Sequence, residues 1–235
     1  MNDNAILLPH IDTWVFDLDN TLYPSDAEVM SQVDRRMTEF VMQLLDLEWD
    51  AARAVQKRYW RDYGTTLNGL MTNHTVDMAY FLDFVHDVDH SVITPDPILA
   101  ERIAALKGRK LVFTNGSRGH AEKVIDRLGL PDVFDDLYDI AAGDFTPKPH
   151  RESFERFNAR HAISPQSSLM FEDSARNLET AADLGFTTVL IRAHAHDPHG
   201  ESAGPGDHPD HVHFAADCLR TFLGQLHLEH QETSS

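Results

Sequence analysis

Four short, nearly continuous apolar runs constrain this chain most strongly: Thr13-Trp14-Val15-Phe16, Lys110-Leu111-Val112-Phe113, Ser168-Leu169-Met170-Phe171 and Thr187-Thr188-Val189-Leu190-Ile191. A strand with one wet face alternates apolar and polar residues, whereas a strand covered on both faces does not. These runs therefore read as interior strands of one sheet. Helical patterns lie between the later ones. Ser117 to Leu128 stops at Gly129, and Ala175 to Leu184 stops at Gly185, both fitting C-terminal caps. Leu137-Tyr138-Asp139-Ile140 is a further candidate strand. Strands alternating with helices predict an α/β fold with an open, Rossmann-like parallel sheet.

Between Asp26 and Asp89 the rhythm breaks. Val29, Val33, Met37, Val41 and Leu45 form an i, i+4 ladder on one helical face, and helical pattern continues through Trp60 and from Val76 to Val85. A discontinuous α/β core is expected over residues 1–22 and 95–227, interrupted by a helical domain over 23–94. Residues 194–213, rich in His, Gly and Pro, are expected to form a flexible loop, with a closing helix from Ala215 to Leu226. His194, His196, His199, His208, His211 and His213 offer transition-metal ligands, but that composition gives them no fixed geometry.

The chain has 235 residues and a formal net charge of −18, which opposes binding to nucleic-acid backbones or anionic membranes. Screening over about 8 Å still admits a small anionic substrate if the site brings its own positive charge. Cys218 has no partner for an internal disulfide. The first ten residues lack the pattern of a signal peptide, and no run is apolar enough for a membrane span, so a cytoplasmic protein is expected.

In a parallel sheet, the loops after the strands converge on one crevice. Asp17 and Asp19 follow the first run, Thr114 the second, and Glu172 and Asp173 the third, while Lys148 lies in Thr146-Pro147-Lys148-Pro149. Gathered carboxylates repel one another. A hard cation with oxygen ligands resolves this, and Mg²⁺ suits a few carboxylates plus a substrate phosphate. A carboxylate attacking a phosphoryl group faces the same repulsion, on the order of 4 kcal/mol per pair at about 4 Å and an effective dielectric near 20. A cation and the Lys148 ammonium are of the right size to offset it. Thr114 and the amides of Asn115 and Gly116, at a helix start, suit the phosphate oxygens. One aspartate of the pair would be nucleophile and metal ligand, and the other a protonated acid that later becomes a base.

D-L-D-N-T at 17–21, T-N at 114–115, K-P at 148–149 and E-D at 172–173 resemble, in order and spacing, the four motifs of the haloacid dehalogenase superfamily of phosphatases. The resemblance implies Asp17 as nucleophile and Asp19 as general acid and base. It implies Mg²⁺ held by Asp17, the backbone carbonyl of Asp19, and Asp173, with Glu172 acting through water; Thr114 and Lys148 would bind phosphate. Glu172 stands where many relatives carry Asp, and Asn177 where some carry a second acid. The helical insertion is similar to the family's type-1 cap, a closing element that excludes water and selects substrate. Within it, K-R-Y-W-R-D-Y-G-T-T-L-N-G-L resembles the pyrimidine 5′-nucleotidase branch, implying a nucleoside monophosphate with Tyr63 stacking on the base and Asn68 reading its edge. Phosphoglycolate or a sugar phosphate, a haloacid and a phosphomutase reaction are the alternative chemistries.

Overall fold

The computed structural model describes residues 6–192 and 208–226. The sheet is built from β1 (Thr13–Phe16), β2 (Arg109–Phe113), β3 (Asp136–Tyr138), β4 (Ser168–Glu172), β5 (Thr187–Ile191) and β6 (Phe214–Ala216), all parallel, in the order β3-β2-β1-β4-β5-β6. The order reverses direction about β1, which therefore lies at the topological switch point where ligands bind in such sheets.

The continuous apolar runs are explained by burial on both faces. Trp14, Phe16, Val112, Leu169, Phe171, Val189 and Ile191 point into one core, shared with α5 (Pro97–Ala105), α6 (Arg118–Leu128) and α9 (Leu219–Gln225). Val15, Leu111, Phe113, Met170 and Leu190 point into the other, shared with α7 (Arg151–His161) and α8 (Ala175–Leu184). Each strand is only three to five residues long. The period of two along each therefore divides its side chains between two helical layers.

Ser117 caps α6, its Oγ accepting the His120 N–H, and Gly129 and Gly185 end α6 and α8 with φ of 80° and 103°. Both glycines occupy the left-handed conformation that a side chain disfavours.

Between β1 and β2 stand α1 (Val29–Leu45), α2 (Trp49–Tyr63), α3 (Thr66–Asn73) and α4 (Met78–Val85). Phe40, Val41, Tyr59, Leu70, Phe81 and Val85 form a third core there, joined by Ile140 from the α/β part. Of the i, i+4 ladder, Val41 lies in this core, Met37 and Leu45 pack against it, and Val29 joins the main core. Gly69 lets α3 cross α2 closely: a Cβ there would stand 2.3 Å from that of Tyr59.

The carboxyl-terminal part departs from expectation. Phe214–Ala216 is a strand on β5, and the closing helix is shorter, Leu219–Gln225. Of the expected loop at 194–213, residues 194–207, with His194, His196 and His199, lie outside the described residues. His211 Nε2 is hydrogen-bonded to Ala175 O, and His213 Nδ1 accepts the Thr188 N–H, so both rings tie this segment to the core. No helix of the described residues is long and apolar enough to cross a membrane.

Candidate active site

Strand register brings the charged residues together. Phe16 pairs with Val112 on one side and Phe171 on the other, so Asp17 emerges between Phe113 and Glu172. Its own N–H donates to Phe171 O, keeping it in line with the strand. Lys148 arrives from the loop before α7 and is 1% exposed. Its Nζ donates to Asp17 Oδ1 at 2.6 Å, to Glu172 Oε2 at 2.7 Å and to Phe113 O at 2.8 Å. An ammonium has three protons, and all three are placed.

Asn115 fixes the lysine's loop. Its Nδ2 donates to Lys148 O at 3.1 Å and its Oδ1 accepts the Lys148 N–H at 2.8 Å. Expected as a substrate contact through its amide, Asn115 uses its side chain to position the lysine. Thr114 is buried and its Oγ1 accepts the Gly116 N–H at 2.9 Å, so this amide is already engaged.

Asp17, Glu172 and Asp173 offer carboxylate oxygens all within 4.8 Å of one another. Lys148 reaches the first two only. Burial, then Glu172 and Asp17, push Asp173 well above its ordinary pKa. Asn20 Nδ2 donates to Asp173 Oδ2 at 3.2 Å, while Asn20 Oδ1 is buried without a hydrogen-bond partner. An oxygen-only donor set, short of positive charge and with an unsatisfied amide oxygen beside it, fits a hard divalent cation such as Mg²⁺. Among the described residues, no other group of His, Cys, Asp and Glu gathers in this way.

The paired aspartates have divergent environments. Burial, then repulsion from Glu172, raise Asp17 to about 7 against the pull of Lys148. Burial would raise Asp19 as well, but His120 and Tyr23 outweigh it and bring Asp19 down to about 2. Tyr23 donates its O–H to Asp19 Oδ1 at 2.5 Å, and His120 Nε2 is hydrogen-bonded to the same oxygen at 2.8 Å. No sequence signal marked these two residues.

These groups floor a cavity of about 400 Å³, roofed by the helices of the insertion. Met37, Trp60, Leu82 and Val85 give it apolar walls, and Asp34, Gln56 and Lys57 a polar patch. That patch is internally bonded: Asp34 accepts from Lys57 at 2.7 Å, Gln56 at 2.6 Å and Arg53 at 3.0 Å. Tyr63 and Asn68 are not among the lining residues. Tyr63 packs edge-on to Tyr59 in the insertion's own core, and Asn68 Nδ2 donates to Tyr63 O in the turn that starts α3. Trp60, one helical turn before Tyr63, faces the cavity instead, because α2 buries Tyr59 and Tyr63 against α3.

The family profile of haloacid dehalogenase-like hydrolases matches residues 11–185, which include every residue of this charged cluster. The chain belongs to that family. Phosphate metabolism protein 8 of Saccharomyces cerevisiae is 27% identical over 218 residues, covering 85% of this chain and 67% of that one. Among solved structures, the HAD phosphatase from Thermococcus onnurineus is 16% identical with a TM-score of 0.57, covering 93% of this chain and 100% of that one. The HAD-hydrolase YfnB from Bacillus subtilis, bound to magnesium, is also 16% identical with a TM-score of 0.58, covering 93% and 99%. The L-2-haloacid dehalogenase from Xanthobacter autotrophicus, 17% identical with a TM-score of 0.54, covers 91% and 97%. This haloacid dehalogenase-like hydrolase thus shares its fold with enzymes of two chemistries, and fold alone does not choose between them.

Proposed function

We propose that this hydrolase is a Mg²⁺-dependent phosphomonoesterase working through an aspartyl-phosphate on Asp17, with nucleoside 5′-monophosphates, pyrimidine ones first, as substrates. The observation that carries the chemistry is the buried Lys148 ammonium held between Asp17 and Glu172, with Asp173 completing a three-carboxylate cluster. A haloacid reaction expels a halide and needs neither a leaving-group acid nor a cation site. Asp19 and the three-carboxylate cluster support the phosphoryl reading on those two counts. The name of the yeast relative points the same way.

In this reading Asp17 attacks phosphorus while the ester P–O bond breaks, and Asp19 gives its proton to the leaving oxygen. Asp19 then takes a proton from the water that attacks the phosphoryl group, releasing inorganic phosphate and restoring Asp17. Thr114 offers its hydroxyl to the transferring oxygens, and Lys148 supplies positive charge beside them while it holds Asp17 and Glu172. Mg²⁺, bound by Asp17 and Asp173 with Glu172 behind them, would neutralise charge on the nucleophile and the phosphoryl oxygens.

Without ligands the protonation order is the reverse of the one needed, with Asp17 at about 7 and Asp19 at about 2. Charge accounts for the inversion. A divalent cation beside Asp17 favours its carboxylate, and a phosphate dianion beside Asp19 favours its acid. Substrate and metal together therefore set the working ionisation.

The nucleotide assignment is supported by the cavity, whose volume suits a nucleoside and whose wall includes Trp60. With Tyr63 and Asn68 turned elsewhere, Trp60 takes the stacking role, while Gln56 is spent on Asp34 and Thr38. The Asp34–Gln56–Lys57 patch favours a second reading, a sugar phosphate whose hydroxyls it would meet. The two are separated by kcat/KM for UMP and CMP against phosphoglycolate and sugar phosphates, measured with and without Mg²⁺. A nucleotidase ranks UMP or CMP first. If a sugar phosphate leads, the substrate class is wrong, and if no ester is hydrolysed with Mg²⁺ present, the chemistry is wrong.

A further inference from the structure

The insertion and α6 meet beside Asp19 in a cluster of three histidines that the reaction above does not use. His120, on α6, is 1% exposed. Its Nε2 is bonded to Asp19 Oδ1 and its Nδ1 lies 2.9 Å from His90 Nε2. His86, at the end of α4, stacks on the His120 ring with centroids 4.5 Å apart and planes 20° apart, and its Nδ1 is 3.0 Å from Ser117 Oγ. The His120 ring is thus fixed by a contact at each nitrogen and by a ring against its face.

The consequence falls on one oxygen. Tyr23 and His120 both bind Asp19 Oδ1. Oδ2 takes part in neither bond and lies on the Gly116 side, 3.6 Å from where a Cβ on that glycine would stand. Gly116 lines the cavity, as Asp19 does. A carboxyl that must meet an ester oxygen gains from having its rotation stopped, because a misplaced proton donor forfeits rate steeply.

We propose that His120, braced by His90 and His86, is a positioning residue that clamps Asp19 Oδ1, so that Oδ2 alone delivers the proton to the leaving group. This rests on the phosphomonoesterase reading. His86 and His90 both come from the chain that leaves the helical insertion. The clamp therefore joins the insertion to the acid itself, whereas Lys148 and the carboxylate cluster are held by the α/β part alone.

The test exploits how much help a leaving group needs. p-Nitrophenolate departs readily without a proton, and phenolate does not. kcat/KM reports only steps up to the first irreversible one, so hydrolysis of the phosphoenzyme does not mask the effect. The ratio of kcat/KM for p-nitrophenyl phosphate to that for phenyl phosphate is measured with Mg²⁺ in wild type, His120→Leu, His120→Gln and His90→Leu. General acid catalysis supplies roughly 10²–10⁴-fold, and loss of the clamp should forfeit at least about ten-fold of it. The ratio is expected to rise about ten-fold or more in His120→Leu and by a smaller factor in His90→Leu. It should return toward wild type in His120→Gln, which keeps an N–H donor near the position of Nε2. If His120→Leu does not fold, His90→Leu, which leaves Asp19's own partners in place, still has to raise the ratio. An unmoved ratio in an active enzyme, or equal losses on both esters, overturns the clamp and leaves the phosphatase reading standing. Wild-type protein inert toward both esters overturns the two together.

Discussion

Replacing Lys148 with Met is the most informative perturbation of stability, because the side chain keeps its approximate length and loses only its charge and donors. In the wild type the ammonium is 1% exposed and satisfies Asp17, Glu172 and the Phe113 carbonyl at 2.6–2.8 Å. Its removal leaves two buried carboxylates without their counter-ion and a carbonyl without its donor. Breaking a buried ion pair from one side costs about 3–5 kcal/mol. For a chain of this size about 2–4 °C of Tm is lost per kcal/mol, so Lys148→Met should melt roughly 6–20 °C lower in metal-free buffer. The penalty also has a sign in pH. Without the ammonium the carboxyls bind protons more tightly in the folded state than in the unfolded one. That contribution is favourable below the ordinary carboxylate pKa and is lost as pH rises through the elevated one. The Tm gap between wild type and variant should therefore widen from about pH 5 to about pH 8. Calorimetry or circular dichroism at several pH values reads this directly. A variant that melts within a degree of wild type at every pH would mean the lysine does not neutralise these acids, and the site described above would be wrong in its central contact.

Other outcomes follow from the same geometry. Asp17→Asn should abolish phosphate release while folding normally. Because burial and Glu172 raise Asp17 from 3.8 to about 7, ionising it opposes folding as pH climbs through that window, by up to about 4 kcal/mol. The variant should thus out-melt metal-free wild type at about pH 8 and lose that advantage at acid pH. Mg²⁺ should raise the Tm of wild type and have little effect on Asp17→Asn; an equal shift in both would place the cation elsewhere. Gly69→Ala forces a Cβ to 2.3 Å from that of Tyr59, and overpacking of this kind costs about 1–3 kcal/mol, readable by chemical denaturation. Trp60→Ala should raise KM for nucleotides several-fold while leaving that for phosphoglycolate nearly unchanged; parallel changes would deny Trp60 a role in reading the organic group.

The four central strands were legible because they are apolar on both faces, short and rich in β-branched and aromatic residues. The helices with polar caps, α6 and α8, were readable from Ser117, Gly129 and Gly185. The short helix α3 was not, since Gly69, two threonines and two asparagines give it little helical preference, and only its close crossing with α2 explains the glycine. Ala215 and Ala216 were read into the following helix because alanine favours that state, whereas pairing with β5 decides otherwise. The charged cluster was visible, since each member directly follows a strand or sits beside prolines. Tyr63 and Asn68 were misjudged for a reason of phase: on α2 the cavity-facing position falls at Trp60. Tyr23, His90 and His120 gave no sign, because their meeting depends on how the insertion returns to α6.

The central claim is that the Asp17 carboxylate carries the phosphoryl group, and acid-quenched steady-state reactions analysed by peptide mass spectrometry test it most directly. With Mg²⁺ and substrate, the peptide containing Asp17 should carry an acid-stable, base-labile phosphoryl increment that disappears once substrate is exhausted. Phosphate release at an undiminished rate by folded Asp17→Asn protein would contradict the account.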